Sequence, residues 1–263
     1  MIGIFDSGVG GMTVARSIEQ LCPNYPLVYF GDIARTPYGS KSPDTIIRYS
    51  KSNTDFLLEQ GATLIVIACN SASSTASDEL RSHYPVPVLD VITPATKMAA
   101  AVSRNGRIGV IGTRATVKSN IYTKRIKEIV PDAEVFSQAC PLLVPLVEEG
   151  WLSKRETKMI LRRYLHPLRR KQIDTLVLGC THYPLLKHLI GPRIGPRVKL
   201  IDSSVEMAKE VYDFLEQNPE IKNRLQESKS SPSRFYVSDS TDAVENMASK
   251  IFGRSIQLEK IAI

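Results

Sequence analysis

Two cysteines occupy the same setting in the two halves of the chain. Cys69 follows the apolar run Thr63–Ala68, and Cys180 follows the similar run Thr175–Gly179. A thiol has an ordinary pKa of about 8.5, so its surroundings can make it an acid or a base near neutral pH. Two such groups on opposite faces of one carbon can remove a proton from one side and return it to the other. The pair therefore predicts inversion of a stereocentre without a cofactor, although a single cysteine is usually a buried small hydrophobe.

The residues that follow each cysteine could bind an anion. Asn70 and Ser71 come directly after the first, and Thr181 and His182 come directly after the second. Both pairs lie where a helix is expected to begin, so backbone N–H groups and side-chain donors would point towards a carboxylate. Asn, Ser and Thr are also ordinary helix caps, and capping does not exclude contact with a ligand. His182 could in addition assist proton transfer at the second cysteine.

A glycine-rich turn follows the first predicted strand and carries Asp6 and Ser7. The segment Gly8–Gly11 lacks the spacing of a dinucleotide-binding fingerprint and the lysine of a P-loop, so we assign no nucleotide to it. Such a tight turn is typical of backbone that approaches a small ligand closely. Asp6 could pair with a substrate ammonium, tune a nearby thiol or only cap the following helix. A second turn, Pro37–Gly39, could offer N–H groups to a second carboxylate.

For both cysteines to act on one carbon, strands and helices must bring the two halves of the chain together. The hydropathy pattern predicts such strands and helices. Short apolar runs alternate with amphipathic helical segments, which is typical of βαβ units and mainly parallel sheets. The predicted strands are Ile2–Phe5, Leu27–Phe30, Leu64–Ala68, Val86–Leu89, Ile108–Ile111, Ala133–Phe136, Thr175–Leu178, Val198–Ile201, Arg234–Val237 and Ser255–Ile261. The predicted helices include Thr13–Leu21, Pro43–Glu59, Glu156–Arg170 and Thr241–Ile251, and an exposed loop is expected at Lys229–Ser233.

The chain contains an internal repeat with an offset of about 110 residues. Ile2–Ser7 resembles Ile108–Thr113, the two cysteine segments resemble each other, and Val88–Asp90 resembles Leu200–Asp202. Three similar segments in the same order predict two pseudo-symmetric α/β domains.

The repeat also predicts where the domains divide. Residues 1–92 plus 206–263 would form the first domain, which carries Cys69, and residues 93–205 would form the second, which carries Cys180. Ligands of open α/β sheets bind at the carboxyl ends of the strands. The active site is therefore expected in the cleft between the two domains.

Composition excludes several classes of protein. The 263 residues are 43% hydrophobic and 23% charged, as in ordinary soluble proteins. The longest apolar runs are strand-length and no signal-peptide pattern is visible, so we expect a cytoplasmic protein that does not enter a membrane. The four cysteines are far apart and form no metal-ligand cluster, so we expect free thiols and no metal.

The chain is basic, with a net charge of +7. Much of the excess lies in Arg162–Arg163 and Arg169–Lys171, on a predicted helix. A basic patch could contact nucleic acid, but we find no helix-turn-helix, RNP or zinc-finger pattern. A solvated helix face is therefore the favoured interpretation, and nucleic-acid binding is disfavoured. The charge could also steer an anionic substrate towards the protein.

Five motifs in order carry a resemblance to a known family. They are Gly3–Gly11, Asp32–Gly39, Ala68–Ala72, Val144–Gly150 and Leu178–Pro184. With these motifs the chain closely resembles bacterial glutamate racemases, of the aspartate/glutamate racemase superfamily, over nearly its whole length. The resemblance implies a homodimeric isomerase that interconverts L- and D-glutamate without a cofactor and supplies D-glutamate for peptidoglycan.

The resemblance also implies roles for individual residues. Cys69 would take the proton from D-glutamate, and Cys180 would take it from L-glutamate. Asp6 would support Cys69, while Glu148 and His182 would support Cys180. The implied substrate-binding positions are Asp6, Ser7, Tyr38, Gly39, Asn70, Ser71, Thr181 and His182, with Thr113 and Thr116 as further lining residues. One departure is that the family usually has Thr where this chain has Ser71, which changes only the packing of a methyl group.

Three alternatives stay open at this point. Aspartate racemisation would use the same two bases, although the Tyr38–Gly39 turn and the whole-chain match favour glutamate. A decarboxylase of the same superfamily needs only one of the two cysteines, and this chain has both. A binding role, such as the inhibition of a type II topoisomerase found in some family members, is compatible with the basic charge but is predicted by no motif.

Overall fold

The computed structural model describes residues 1–227 and 231–262. Strand-forming apolar runs and amphipathic helices alternate along the chain as predicted. The strands are β1 Ile2–Asp6, β2 Leu27–Gly31, β3 Leu64–Ile67, β4 Val88–Asp90, β5 Arg107–Gly112, β6 Glu134–Ala139, β7 Thr175–Gly179, β8 Lys199–Asp202, β9 Arg234–Val237 and β10 Glu259–Lys260.

The helices lie between these strands. They are α1 Met12–Leu21, α2 Pro43–Glu59, α3 Asn70–His83, α4 Ile92–Val102, α5 Arg114–Lys118, α6 Ile121–Ile129, α7 Leu143–Glu148, α8 Arg155–Arg170, α9 Lys187–Ile194, α10 Ser203–Gln217, α11 Pro219–Glu227 and α12 Asp242–Phe252. The bounds of α2 match the prediction, because Ser42 caps the helix by accepting the N–H of Thr45 and Pro43 occupies the first turn.

The strands form two sheets. The first has the order β10-β9-β2-β1-β3-β4, and the second has the order β6-β5-β7-β8. Every strand pair in the described part of the chain is parallel. The predicted fold class, an α/β protein with two mainly parallel sheets, is therefore confirmed.

The segments of the sequence repeat occupy equivalent places in the two sheets. β1 is flanked by β2 and β3, as β5 is flanked by β6 and β7. β3 and β7 carry the cysteine segments, and each pairs with the strand that ends in Asp90 or Asp202. The chain passes from the first sheet to the second through α4 and leaves the second through α10, which packs against α1 and α4. The predicted domain boundaries stay a prediction.

The apolar core is not divided cleanly between the sheets. One buried cluster extends from β1 and α1 to α8, β7 and α10, while separate clusters cover the other face of each sheet. The two halves are therefore joined by continuous packing, which limits how far they can move apart.

Near the C-terminus, one predicted strand is shorter than expected and one predicted loop is only partly described. Ser255–Ile261 is not a strand throughout, because only Glu259 and Lys260 pair with β9 at the exposed edge of the first sheet. The loop expected at Lys229–Ser233 lies partly outside the described residues, and Ser231–Ser233 have no regular secondary structure.

Candidate active site

Cys69 lies where β3 ends and α3 begins, and it is buried. Its Sγ donates to the Ser7 hydroxyl at 3.4 Å. Burial, reinforced by the negative charge of Asp6, raises the pKa of Cys69 to about 12, although the Ser7 contact acts in the other direction. In this structure Cys69 is therefore a protonated thiol near neutral pH.

Asp6 lies at the end of β1 and is fully buried. One carboxylate oxygen, Oδ2, accepts the N–H groups of Gly8 and Gly11, each at 3.0 Å. Its other oxygen lies 3.4 Å from the hydroxyl of Thr181, which belongs to the other half. Burial raises the pKa of Asp6, while the charge of His182 and the two N–H groups oppose the rise. Asp6 thus holds the glycine-rich turn and also influences Cys69.

Cys180 follows β7 and is buried. Its Sγ lies 3.8 Å from Nδ1 of His182, and the other ring nitrogen, Nε2, lies 3.1 Å from a carboxylate oxygen of Glu148. Burial by itself lowers the pKa of His182, but the hydrogen bonds and charges of Cys180 and Glu148 outweigh it and raise the pKa to about 10. His182 is therefore an imidazolium at neutral pH, and it can donate a hydrogen bond to a thiolate at Cys180.

The glycine-rich turn packs on the second half of the chain at Gly10. A Cβ built on Gly10 would lie 2.5 Å from the His182 ring and 2.6 Å from Oγ1 of Thr181. Thr13 also donates to the carbonyl of Thr181 at 3.0 Å. The missing side chain at Gly10 thus lets the first half approach the Cys180 loop of the second half.

The turn at Tyr38 and Gly39 faces the site with its backbone, whereas the Tyr38 side chain points into the protein. The Tyr38 hydroxyl donates to Asp32 and accepts from Asn53 at 3.0 Å. Gly39 packs against Thr113 of the second half, since a Cβ there would lie 2.7 Å from Thr113 Cβ. These contacts hold the turn against the mouth of the cleft.

One small cavity between the two sheets brings most of the predicted site residues together. It has a volume of about 30 Å³. Its lining comprises both cysteines and the residues beside them, namely Ser7, Thr36, Pro37, Tyr38, Gly39, Cys69, Asn70, Ser71, Thr113, Val144, Cys180, Thr181 and His182. Asp6 and Glu148 lie behind this lining and act on it through their neighbours. Thr116 does not line the cavity, but its hydroxyl lies 3.1 Å from that of Thr113.

Several residues of the site were missed by sequence reasoning. Thr36 and Val144 line the cavity, and they lie inside the quoted motifs Asp32–Gly39 and Val144–Gly150 without having been assigned a role. Tyr122 gave no signal at all, yet its hydroxyl donates to Oδ1 of Asn70 at 2.6 Å. Such a contact depends on the tertiary structure and leaves no local pattern.

A larger concave surface lies elsewhere. An open groove of about 730 Å³ runs between α8 and α9 and is lined by Arg162, His166, Arg169, Arg170, Pro192 and Arg193. The groove is lined by no thiol or carboxylate, whereas the small cavity is lined by both thiols.

Over residues 1–227 and 231–262, no group of three or more His, Cys, Asp or Glu side chains could hold a metal ion. In the same ranges no helix has the length and apolar character that a membrane span requires.

The family model for Asp/Glu/Hydantoin racemases matches residues 2–211. This match covers both cysteines and both sheets up to α10. The chain therefore belongs to the Asp/Glu/Hydantoin racemase family.

Within that family the chain is similar to glutamate racemases. It is 52% identical to the glutamate racemase of Geobacter metallireducens over 214 residues, which is 81% of this chain and 79% of that protein. Among solved structures, glutamate racemase isoform RacE1 from Bacillus anthracis superposes with a TM-score of 0.94 at 35% identity, covering 100% of this chain and 97% of that one.

A further structure is the glutamate racemase from Francisella tularensis, which was solved in complex with D-glutamate. It has a TM-score of 0.89 and 37% identity, with 99% of this chain and 97% of that one covered. These likenesses place the chain among the glutamate racemases, and therefore among the isomerases that act on amino acids.

Proposed function

We propose that this protein racemises glutamate without a cofactor, with Cys69 and Cys180 as two bases on opposite faces of the substrate. The observation that carries the proposal is the single cavity that both thiols line, each at the carboxyl end of an equivalent strand. One base would have to cross the molecule to invert the carbon, whereas two facing bases need not. The similarity to glutamate racemases supports glutamate as the substrate.

The reaction with L-glutamate begins at Cys180. A thiolate there, hydrogen-bonded by the His182 imidazolium, takes the α proton and becomes a thiol, and the Cα–H electron pair stays on the substrate as a carbanion. The Cys69 thiol then gives its proton to the opposite face, which yields D-glutamate and a Cys69 thiolate. With D-glutamate the same two steps run in reverse. Glu148 keeps His182 charged, and Asp6 adjusts the protonation of Cys69.

The carbanion and the carboxylates need donors, which the ends of the elements supply. The first turn of α3 presents N–H groups beside Cys69, and Asn70 and Ser71 add side-chain donors there. Thr181 and His182 line the other side, and Ser7, Tyr38 and Gly39 complete the proposed substrate contacts. Fixed dipoles of this kind stabilise charge as it develops in the transition state.

The test is to incubate L-glutamate in heavy water with the wild type and with the Cys69→Ala and Cys180→Ala variants. Optical rotation follows racemisation, and proton NMR follows deuterium at Cα. We expect the wild type to form D-glutamate that carries solvent deuterium, while the remaining L-glutamate is largely unlabelled early on, because different groups remove and return the proton. Each variant should lose at least a thousandfold in rate, which is typical when a catalytic base is removed. Cys22→Ala, which alters a buried thiol outside the cleft, is the matched control.

Other outcomes would change the proposal in definite ways. Turnover of aspartate but not glutamate would keep the two bases and replace the substrate. Loss of a carboxyl group, visible as a new product by NMR, would indicate a decarboxylase. If no amino acid exchanges its α proton, a binding role moves first, and a Cys69→Ser, Cys180→Ser protein can be compared with the wild type in a topoisomerase supercoiling assay.

We further propose that the product supplies peptidoglycan synthesis, and that the protein acts in the cytoplasm as a homodimer. The family resemblance supports all three. Restored growth of a bacterium that requires D-glutamate would support the supply of peptidoglycan synthesis. Sedimentation equilibrium would measure the molecular mass and so test the homodimer. Failure to restore growth by an active enzyme would contradict the proposed supply.

A further inference from the structure

Tyr122 contacts the chain beside both cysteines. It lies on α6 in the second half and is 2% exposed. Its hydroxyl donates to Oδ1 of Asn70, the residue after Cys69, at 2.6 Å. Its ring packs on Gly179, the residue before Cys180, where an added Cβ would lie 3.2 Å from the ring. One side chain therefore connects the two strand ends that carry the thiols.

Only one end of the Asn70 amide has a hydrogen-bond partner: Oδ1 accepts from Tyr122. Asn70 is 2% exposed and lines the cavity, and its Nδ2 is buried without a hydrogen-bond partner among the described residues. A buried donor left unpaired costs free energy, so its retention points to a ligand that pairs with it. An anionic oxygen is the partner that an amide N–H favours.

We propose that Tyr122 is a positioning residue that orients the Asn70 amide, so that Nδ2 donates to a carboxylate of the bound amino acid. This inference rests on the proposed function. Because the Tyr122 hydroxyl occupies Oδ1, the amide cannot turn its oxygen towards the substrate, where it would repel an anion. Burial, with the charges of Asp90 and Cys180, raises the pKa of Tyr122, so its hydroxyl keeps the proton that it donates.

The first experiment is steady-state kinetics of Tyr122→Phe with L- and D-glutamate. Phenylalanine keeps the ring on Gly179 and removes only the hydroxyl. We expect KM to rise about tenfold for both enantiomers, with kcat changed less. The reason is that the variant loses the hydrogen bond that orients the Asn70 amide, and the net contribution of one such bond corresponds to about this factor. Tyr236→Phe is the matched control, since this buried tyrosine bonds Gln60 within the first half at 3.2 Å, and it should behave as the wild type.

The second experiment separates orientation from general damage to the fold. Kinetics are measured for Asn70→Ala alone and with Tyr122→Phe. We expect Tyr122→Phe to have no further effect on KM once Asn70 is gone. The inference would be overturned if Tyr122→Phe raised KM equally with and without Asn70→Ala. An unchanged KM in Tyr122→Phe alone would overturn it as well.

Calorimetric binding of D-glutamate to the wild type, Tyr122→Phe, Asn70→Ala and the double variant keeps the inference separate from the proposed function. A wild type that racemises glutamate while Tyr122→Phe binds it equally well refutes the positioning role alone. A wild type that binds D-glutamate without racemising it refutes the function. The same non-additive loss of binding would then still support the positioning role.

Discussion

At the scale of single residues, the two thiols have opposite electrostatic partners. Cys69 shares its surroundings with the carboxylate of Asp6, and burial with this negative charge raises the pKa of Cys69 to about 12. Cys180 instead faces His182, which Glu148 helps to keep protonated. In the proposed mechanism Cys69 would therefore be the acid and Cys180 the base, which is the asymmetry that a proton transfer from L-glutamate requires.

The charge on His182 predicts a pH-dependent contribution to stability. Its pKa of about 10 in the folded protein lies above the ordinary value of 6.5. Proton binding therefore stabilises the fold fully below about pH 6.5, and this contribution is lost as the pH rises through 10. The difference in the free energy of unfolding between the wild type and His182→Asn should shrink over that interval, as measured by urea unfolding.

Glu148, the carboxylate that contacts His182, provides a control for this prediction. Glu148→Gln removes one of the two groups that raise the pKa of His182, so the contribution should be lost at a lower pH. A difference between wild type and His182→Asn that stays constant from pH 6.5 to 10 would show that His182 is not charged in the fold.

At the scale of elements, the segment after β2 is held in place by a buried carboxylate. Asp32 accepts the Tyr38 hydroxyl, Nε of Arg35 at 2.7 Å and the Ser238 hydroxyl at 3.1 Å. These bonds fix the turn whose Gly39 packs on Thr113 at the start of α5. Thr113 in turn lies 2.9 Å from the Ser71 hydroxyl across the cleft. The turn, α3 and α5 therefore form one connected wall of the site.

Gly39→Ala should disturb this wall. The new Cβ would lie 2.7 Å from Thr113 Cβ, too close for either side to remain in place. We expect kcat/KM to fall about ten- to hundredfold, as is typical when a displacement of about 1 Å reaches an active site. Racemisation kinetics with a melting curve measure the effect. Gly191→Ala, whose Cβ would meet only Leu200 at 3.9 Å, is the control, and unchanged kinetics in Gly39→Ala would contradict the close contact.

At the scale of the whole molecule, the space beside the two thiols continues into a neighbouring cavity. The cavity of about 30 Å³ that both thiols line shares Pro37, Gly39, Thr113 and Val144 with a cavity of about 210 Å³. A bound amino acid is therefore expected to extend into this neighbouring space. The buried cluster shared by both halves is packed along α1 and α10, so we expect any adjustment on binding to be a hinge motion and not a separation.

A site shared by both halves predicts how hydrogen exchange responds to a ligand. D-glutamate should slow exchange at the end of β3 and start of α3, and at the same time at the end of β7. Mass spectrometry of peptides covering residues 64–73 and 175–186 measures both. D-alanine, which lacks the second carboxylate, is the control and should protect less. Protection confined to one half would contradict a shared site.

The sequence by itself determined the local elements and the choice of the two thiols as the proposed reactive groups. Apolar runs and amphipathic periods predicted the alternation of strands and helices, because burial of a strand or a helix face leaves a pattern within about ten residues. The repeat predicted two similar sheets, and the position of each cysteine directly after a strand placed both thiols at carboxyl ends. The bounds of α2 could be predicted because its cap and its proline are local signals.

Only the tertiary structure decided which side chains meet in the cleft. Tyr122 and Asn70 are 52 positions apart, and Glu148 and His182 are 34 apart, so no periodicity links them. The Tyr38 hydroxyl bonds Asp32, and Gly10 leaves room for the His182 ring, and both contacts depend on packing across the fold. The protonation states of His182 and Cys69 could not be predicted for the same reason: burial and neighbouring charge are properties of a position in space, which local sequence does not record.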